Sequence, residues 1–317
     1  MSRRSAVSKH NATADEHQRE LVKLIREFSQ RHHLHGVFSD FVEICALSIS
    51  NSVDQPQFQV REKRYLEIVG KYTKDEIDRF ARMFAQLVLS FEKRVEEMRV
   101  AGAGLTDVLG AAYMMLELGN DRAGQFFTPY ELSRLMAKMI IGDGGDAVKA
   151  HGFMRLQEPA CGAAGMVIAA AESLNDAGFN YQRALHATCI DIDPCCVHMA
   201  YVQLSLLHIP AIVVHGNALS AQVWGLWYTP AHILGGWRWK LRARLEATDG
   251  DPVATPDGRS EAAEDVVPAS QEPVDGDIAI AEAPAATGTS VTDLFEDAVQ
   301  ATPAQRMFDA IDQLSLF

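Results

Sequence analysis

Three short stretches carry side chains whose types and spacing can do chemistry: GQFFTP (Gly124 to Pro129), EPACGAAGM (Glu158 to Met166) and CIDIDP (Cys189 to Pro194). The middle one reads as a strand-to-helix turn. Apolar Phe153, Met154 and Leu156 precede it as a short strand, the small residues Ala160 to Gly165 make the turn, and an Ala- and Ile-rich helix runs from Met166 to Ala177. Small residues let a ligand approach the backbone closely, and the helix N-terminus beyond favours anionic groups. A second apolar strand, Leu185 to Ile190, then ends in Asp191. An acid at the tip of a second parallel strand is placed to accept hydrogen bonds from ribose hydroxyls. Together these point to a nucleotide-like ligand.

The flanking stretches leave alternatives open. In GQFFTP, Thr128 is expected as the N-cap and Pro129 as the first residue of the helix Tyr130 to Ile141. That geometry is either an ordinary turn or a carboxylate site made of a hydroxyl and free N–H groups. A third strand, Ala211 to His215, precedes Gly216-Asn217-Ala218-Leu219. Asn217 either meets an aromatic ring edge at the switch point of a parallel sheet or serves as a turn residue.

The elements that must position these residues form an α/β pattern behind a helical segment. Apolar repeats predict helices over 14–33, 38–50, 58–72, 75–99 and 106–118, which define a helical domain from 14 to 119. Thr73 and Glu76 read as a capping box, and the stripe Ile77, Phe80, Phe84, Leu87, Val88 and Phe91 reads as core. The three histidines of RHHLHG (Arg31 to Gly36) have no second ligand cluster and are read as a solvated helix end. A sheet domain spans 120–245, a polar arm covers 1–13, an acidic linker 246–290, and a motif segment 291–317.

Composition sets the bounds. Apolar residues make up 48% of 317, ample for a core, and no run approaches the length of a membrane helix. Five cysteines without CxxC spacing fit reduced thiols in a cytosolic protein. No metal site is expected. The net charge of −13 belongs to the tail: from Glu246 onward sixteen acids face two bases, leaving 27 bases and 26 acids before it. The folded part is therefore near neutral and can meet a polyanion locally.

In this order, DVLGAAYMMLELGNDRAGQFFTP (Asp107 to Pro129), EPACGAAGM, CIDIDP and HGNAL resemble the adenine-N6 DNA methyltransferases, especially the modification subunits of type I restriction systems. The resemblance covers about 105 to 220. It implies a Rossmann-like methyltransferase fold with S-adenosylmethionine as cofactor and DNA as substrate. By it, Phe127 and Thr128 contact the methionine end, and Glu158, Pro159, Ala160 and Gly162 form the methionine-side turn. Asp191 takes the ribose hydroxyls and Asn217 faces the adenine. A companion specificity subunit is implied, because no target-recognition domain is visible.

One departure bears on the chemistry. The exocyclic amine of adenine is a poor nucleophile, and the family accepts its protons with a D/N-P-P-Y/F motif after the fourth strand while the flipped base stacks on the aromatic. No Pro-Pro dipeptide occurs here; Ser220 to Arg244 offers only Tyr228-Thr229-Pro230. Tyr228 and Pro230 are the remaining catalytic candidates, and an inactive relative that binds cofactor or DNA is the competing reading. Nothing after Arg244 reads as further strands, so the sheet is expected to stop at about three, with its first strand an unpaired edge.

Trp237 to Arg244 alternates cations with apolar residues. Arg238, Lys240 and Arg242 either follow a phosphate backbone, with a Trp stacked on a base, or form the solvated face of an element with buried Trp residues. Residues 248–290 have scarcely a large apolar side chain and are expected to be disordered. The final QLSLF resembles the bacterial sliding-clamp-binding pentapeptide, in which Gln313 would bond at the pocket rim and Leu316 and Phe317 would fill the cleft. The alternative is an amphipathic helix, Ala304 to Leu316, docking back on the core.

Overall fold

The structure is a computed structural model that describes residues 14–100, 104–116, 118, 127–141 and 145–249. The 1–13 arm, Gly124 to Phe126, and the tail with Gln313, Leu316 and Phe317 lie outside the described residues.

Five helices come first. α1 (Glu16–Arg26) is capped by Asp15, whose carboxylate accepts the Gln18 N–H at 2.7 Å, and it buries Leu21, Leu24 and Ile25. α2 (Leu34–Val53) starts earlier than the expected 38; within it Asp40 pairs with Lys71 and accepts from Tyr72. α3 spans Phe58–Val69, and α4 spans Lys74–Val100. The capping box before α4 is formed: the Thr73 N–H donates to Glu76 at 2.8 Å. Phe80, Leu87 and Phe91 are buried, and Phe80 stacks on Phe28 at 5.0 Å, so the aromatic stripe packs the core. His32 lies 3.0 Å from Glu76, and among the described residues no three His, Cys, Asp or Glu side chains gather as a metal site. α5 (Val108–Met115) leads toward the sheet.

The sheet unit runs α6 (Tyr130–Ile141), α7 (Gly145–His151), β1 (Met154–Glu158), α8 (Gly165–Asp176), α9 (Tyr181–Ala184), β2 (Leu185–Asp191), α10 (Pro194–Leu206), β3 (Ala211–Asn217), β4 (Gln222–Tyr228), α11 (Pro230–Leu234) and α12 (Trp237–Asp249). The strand order is β1-β2-β3-β4. β1, β2 and β3 are parallel, with Glu158 opposite Cys189 and Asp191 opposite His215. β1 is an edge, as the sequence suggests.

The fourth strand corrects the expectation of three. β4 pairs antiparallel with β3, Asn217 opposite Gln222 and Ile212 opposite Tyr228. A tight return places Ala221 at φ 56°, and QVWGLWY then alternates its side chains between two faces. Trp227 packs against His198 and Tyr201 of α10, at ring distances of 5.0 and 5.2 Å.

The helical segment and the sheet share one hydrophobic core, continuous from Leu21 of α1 to Val213 of β3. All five cysteines are free and buried within it. No described helix is long and apolar enough to cross a membrane. One helix face is conspicuously bare: Leu132, Leu135, Met136, Met139 and Ile140 of α6 share a helical stripe and are all exposed.

Candidate functional site at the strand tips

The site is built from the turn between β1 and α8. After Glu158 the chain passes through Pro159 and Ala160, both exposed, and Cys161 donates its backbone N–H to Ile190 O at 2.9 Å, which ties the turn to β2. Gly162 then adopts φ 53°, and Ala164 adopts φ 69° at the N-cap of α8. A left-handed alanine costs about 1–2 kcal/mol, strain that the surrounding packing must offset. A Cβ at Gly162 would sit 2.9 Å from the Phe127 ring, so both the backbone angle and the neighbour require glycine there.

The tip of β2 closes on this turn. Asp191 accepts the Gly162 N–H at 2.8 Å with one oxygen and the Asp193 N–H at 2.9 Å with the other. Burial raises the Asp191 carboxyl above its ordinary value, and the backbone N–H groups of Asp193 and Gly162 oppose that shift. Glu158 is also raised, first by burial and then by the charge of Asp191; its Oε1 is 3.4 Å from the Ala160 N–H. Two half-buried carboxylates on adjacent strand tips suit a ligand that brings positive charge and hydroxyl donors.

The back of the turn is held by residues the sequence did not single out. Gln203 of α10, fully buried, donates to Ala163 O at 2.6 Å and to Asp107 Oδ1 at 2.8 Å, and it accepts the Leu109 N–H at 3.0 Å. Asp107 caps α5 by accepting from Gly110 N at 2.7 Å, and burial pushes its carboxyl up to about 6. Asp107 three residues before Gly110 is a recognisable cap signal; Gln203 in an apolar helix carries none. Ile192 and Leu219 are the other omissions. Both are large, apolar and exposed beside the tips of β2 and β3.

The structure brings Phe127, Glu158, Pro159, Ala160, Gly162 and Asp191 together. Thr128 follows Phe127 and is exposed; the helix runs Tyr130–Ile141 as expected, but Thr128 is not its cap. The Pro129 carbonyl takes the first bonds, from Leu132 N at 2.9 Å and Ser133 N at 3.2 Å, so Pro129 holds the cap position. Asn217 stands one strand over, and its Oδ1 accepts from Leu219 N at 2.9 Å and Ser220 N at 3.3 Å. It is a turn residue by that oxygen, and any contact with a ring edge falls to its amide nitrogen.

Tyr228 and Pro230 are not brought to this cluster. Tyr228 pairs with Ile212 at the start of β3, five residues back from Asn217, or roughly 16 Å along the strand. The antiparallel turn of β4 is the reason: it carries Tyr228-Thr229-Pro230 to the opposite end of the sheet. Thr229 there caps α11, with Pro230 in its first turn. Arg238, Lys240 and Arg242 lie on α12, which packs on Phe153 before β1. Trp237 is buried and Trp239 is exposed, so of the two only Trp239 can meet a base.

Helices packed on a mostly parallel sheet, with an acid-lined cluster where the parallel strands end, define a mixed α/β unit of methyltransferase-like form. Residues 105–233 match the family model of N-6 DNA methylases, and that segment is similar to the adenine-N6 DNA methyltransferases. No curated protein and no solved structure matches the chain.

Proposed function

We propose that the chain binds S-adenosylmethionine at the tips of β1, β2 and β3 and serves methyl transfer to adenine N6 in DNA. The observation that carries this is the Gly162-to-Asp191 hydrogen bond beneath the Phe127 ring, which joins three separate sequence stretches in one place. The residues suit that cofactor. Glu158 would face the ammonium, the free lone pairs of Asp191 the ribose hydroxyls, and the side-chain-free Gly162 turn the methionine backbone, with Thr128 near the carboxylate. Exposed Ile192 and Leu219 offer apolar contact to the adenine ring, and Asn217 a donor to its edge. When bound, the cofactor supplies an electrophilic methyl group.

A second reading, a relative that binds cofactor and DNA without turnover, is favoured by one observation: Tyr228 and Pro230 sit at the far end of β3 from the cluster. The test is calorimetry with S-adenosylmethionine followed by incubation with labelled cofactor and unmethylated DNA. N6-methyladenine selects the first reading; cofactor binding without it, even with partner subunits added, selects the second. Absence of cofactor binding sinks both.

Companions belong to this reading. A specificity subunit would supply target recognition, and the bare apolar stripe of α6 is surface that such a subunit would cover. Through Gln313, Leu316 and Phe317 the tail would recruit the chain to a sliding clamp. Clamp capture that is unchanged after removal of Gln313 to Phe317 discards that part.

A further inference from the structure

A cavity of about 1030 Å³ lies between α3 and the outer edge of β4, with α12 along its rim, and reaches the side of the strand tips at His215. Its walls carry Trp224, Trp239, Arg64 and Arg238. Trp224 is 50% exposed and meets the His215 ring edge-on at 4.9 Å; Trp239 is 67% exposed, with the Arg238 guanidinium 5.9 Å from its ring. Exposed indoles in a concave site are costly to leave in water, and each presents a flat face to a planar partner.

The charges around them favour an anion. The acids in the wall, Asp54 and Glu43, are taken up by Arg61 at 2.6 Å and Arg64 at 2.6 Å. α12 puts Arg238 in the wall and, beyond the rim, carries Lys240, Arg242 and Arg244 with no acid before Glu246; Lys240 and Arg242 are exposed. An extended peptide adding to the β4 edge is disfavoured, because Arg61 already donates to the Leu226 carbonyl there at 2.7 Å. The cavity runs along β4, about 20 Å of strand. It borders the cofactor cluster: His215 and Pro194 line it, and His215 Nε2 is 3.2 Å from Ile192 O, next to Asp191.

We propose that this cleft binds single-stranded DNA, with unstacked bases on Trp224 and Trp239 and the phosphates along Lys240 and Arg242. The indole faces select single strands over duplex, since bases in a duplex are already stacked. The proposal rests on the reading of DNA as the substrate, and is independent of cofactor binding and turnover.

The experiment is fluorescence anisotropy of the full-length chain with a labelled oligothymidylate of about 16 nucleotides and with the matching duplex. Trp224→Ala and Trp239→Ala are expected to weaken single-strand binding about tenfold or more each. Both side chains are largely exposed, so circular dichroism and the affinity for S-adenosylmethionine should not change. Lys240→Gln with Arg242→Gln should flatten the salt dependence. The proposal is overturned by single-strand affinity within about twofold of wild type in both Trp variants, by a loss of duplex binding in those variants as large as the loss of single-strand binding, or by no single-strand binding. Displacement of the oligonucleotide by an equimolar unfolded polypeptide would also overturn it, assigning the cleft to a peptide. Single-strand binding with loss in the Trp variants, but no binding of S-adenosylmethionine, would support the cleft while sinking the cofactor reading alone.

Discussion

The backbone N–H of Gly162 donates to Asp191 Oδ2 at 2.8 Å, so the turn after β1 and the tip of β2 are held as one unit. Under the proposed function the same carboxylate would also receive the ribose, which would give Asp191 two tasks. Asp191→Ala should lose about 1–3 kcal/mol of cofactor affinity, the scale of a charge-assisted acceptor, and a similar amount of stability. Calorimetry and urea denaturation separate the two. Unchanged affinity would remove Asp191 from the ligand site.

Gly162→Ala tests the other partner. The left-handed angle alone costs about 1–2 kcal/mol, and displacement of the Phe127 ring adds to it. Phe127→Ala should relieve the second cost and not the first. The double variant is therefore expected to be less destabilised than the sum of the singles, and additive unfolding energies would argue against the contact.

Asp107 gives a pH signature. Its folded value of about 6 lies above the ordinary 3.8. Between those values the folded chain holds more protons than the unfolded one, so the contribution of Asp107 to stability is fully present at low pH and declines as pH rises through that window. Asp107→Asn keeps an acceptor for Gly110 N and should remove this dependence. Asp107→Ala orphans the cap and should cost about 1–3 kcal/mol. Urea melts at pH 5 and pH 7 decide; equal pH dependence in wild type and Asp107→Asn would contradict the assignment.

The buried pair His186 and His232, 2.9 Å apart, should behave with the opposite sign. Burial lowers His232 to about 4 and His186 well below its ordinary value, so both are neutral at pH 7. Their contribution is fully present above about 6.5 and is lost as pH falls from there through the folded values. The stability gap between wild type and His232→Asn should narrow from pH 7 to pH 5. A gap that widens on acidification would refute this.

Arg61 staples the helical segment to the sheet. It pairs with buried Asp54 at 2.6 Å, donates to Leu226 O, and lies 4.1 Å over the Trp227 ring. Arg61→Ala leaves Asp54 buried without its partner and should cost about 3–5 kcal/mol. Replacing both with apolar residues should cost less. A cost below about 1 kcal/mol for Arg61→Ala would show that the pair is solvated.

Much of this was legible because it is local. The Thr73–Glu76 box, the strand ending in Asp191 and the glycine turn before α8 are each written in a few neighbouring residues, where propensity and capping chemistry act. β4 was obscured because its Trp-rich segment acquires its strand character by pairing with β3 and packing on α10, and both contacts are distant in sequence. The Gln203 bridge was invisible for the same reason, as its partners Asp107 and Ala163 are far from it in the chain.

The sequence by itself determined the three parallel strands, the small-residue turn, the acid at the second strand tip and the match of residues 105–233 to the family model of DNA methylases. Only the tertiary structure decided that Phe127 lies on Gly162, that Tyr228 and Pro230 end up across the sheet from Asp191, and that Trp224 and Trp239 share a cavity. Backbone propensities act over one or two turns, whereas which side chains meet is set by register, strand direction and the shape of the shared core.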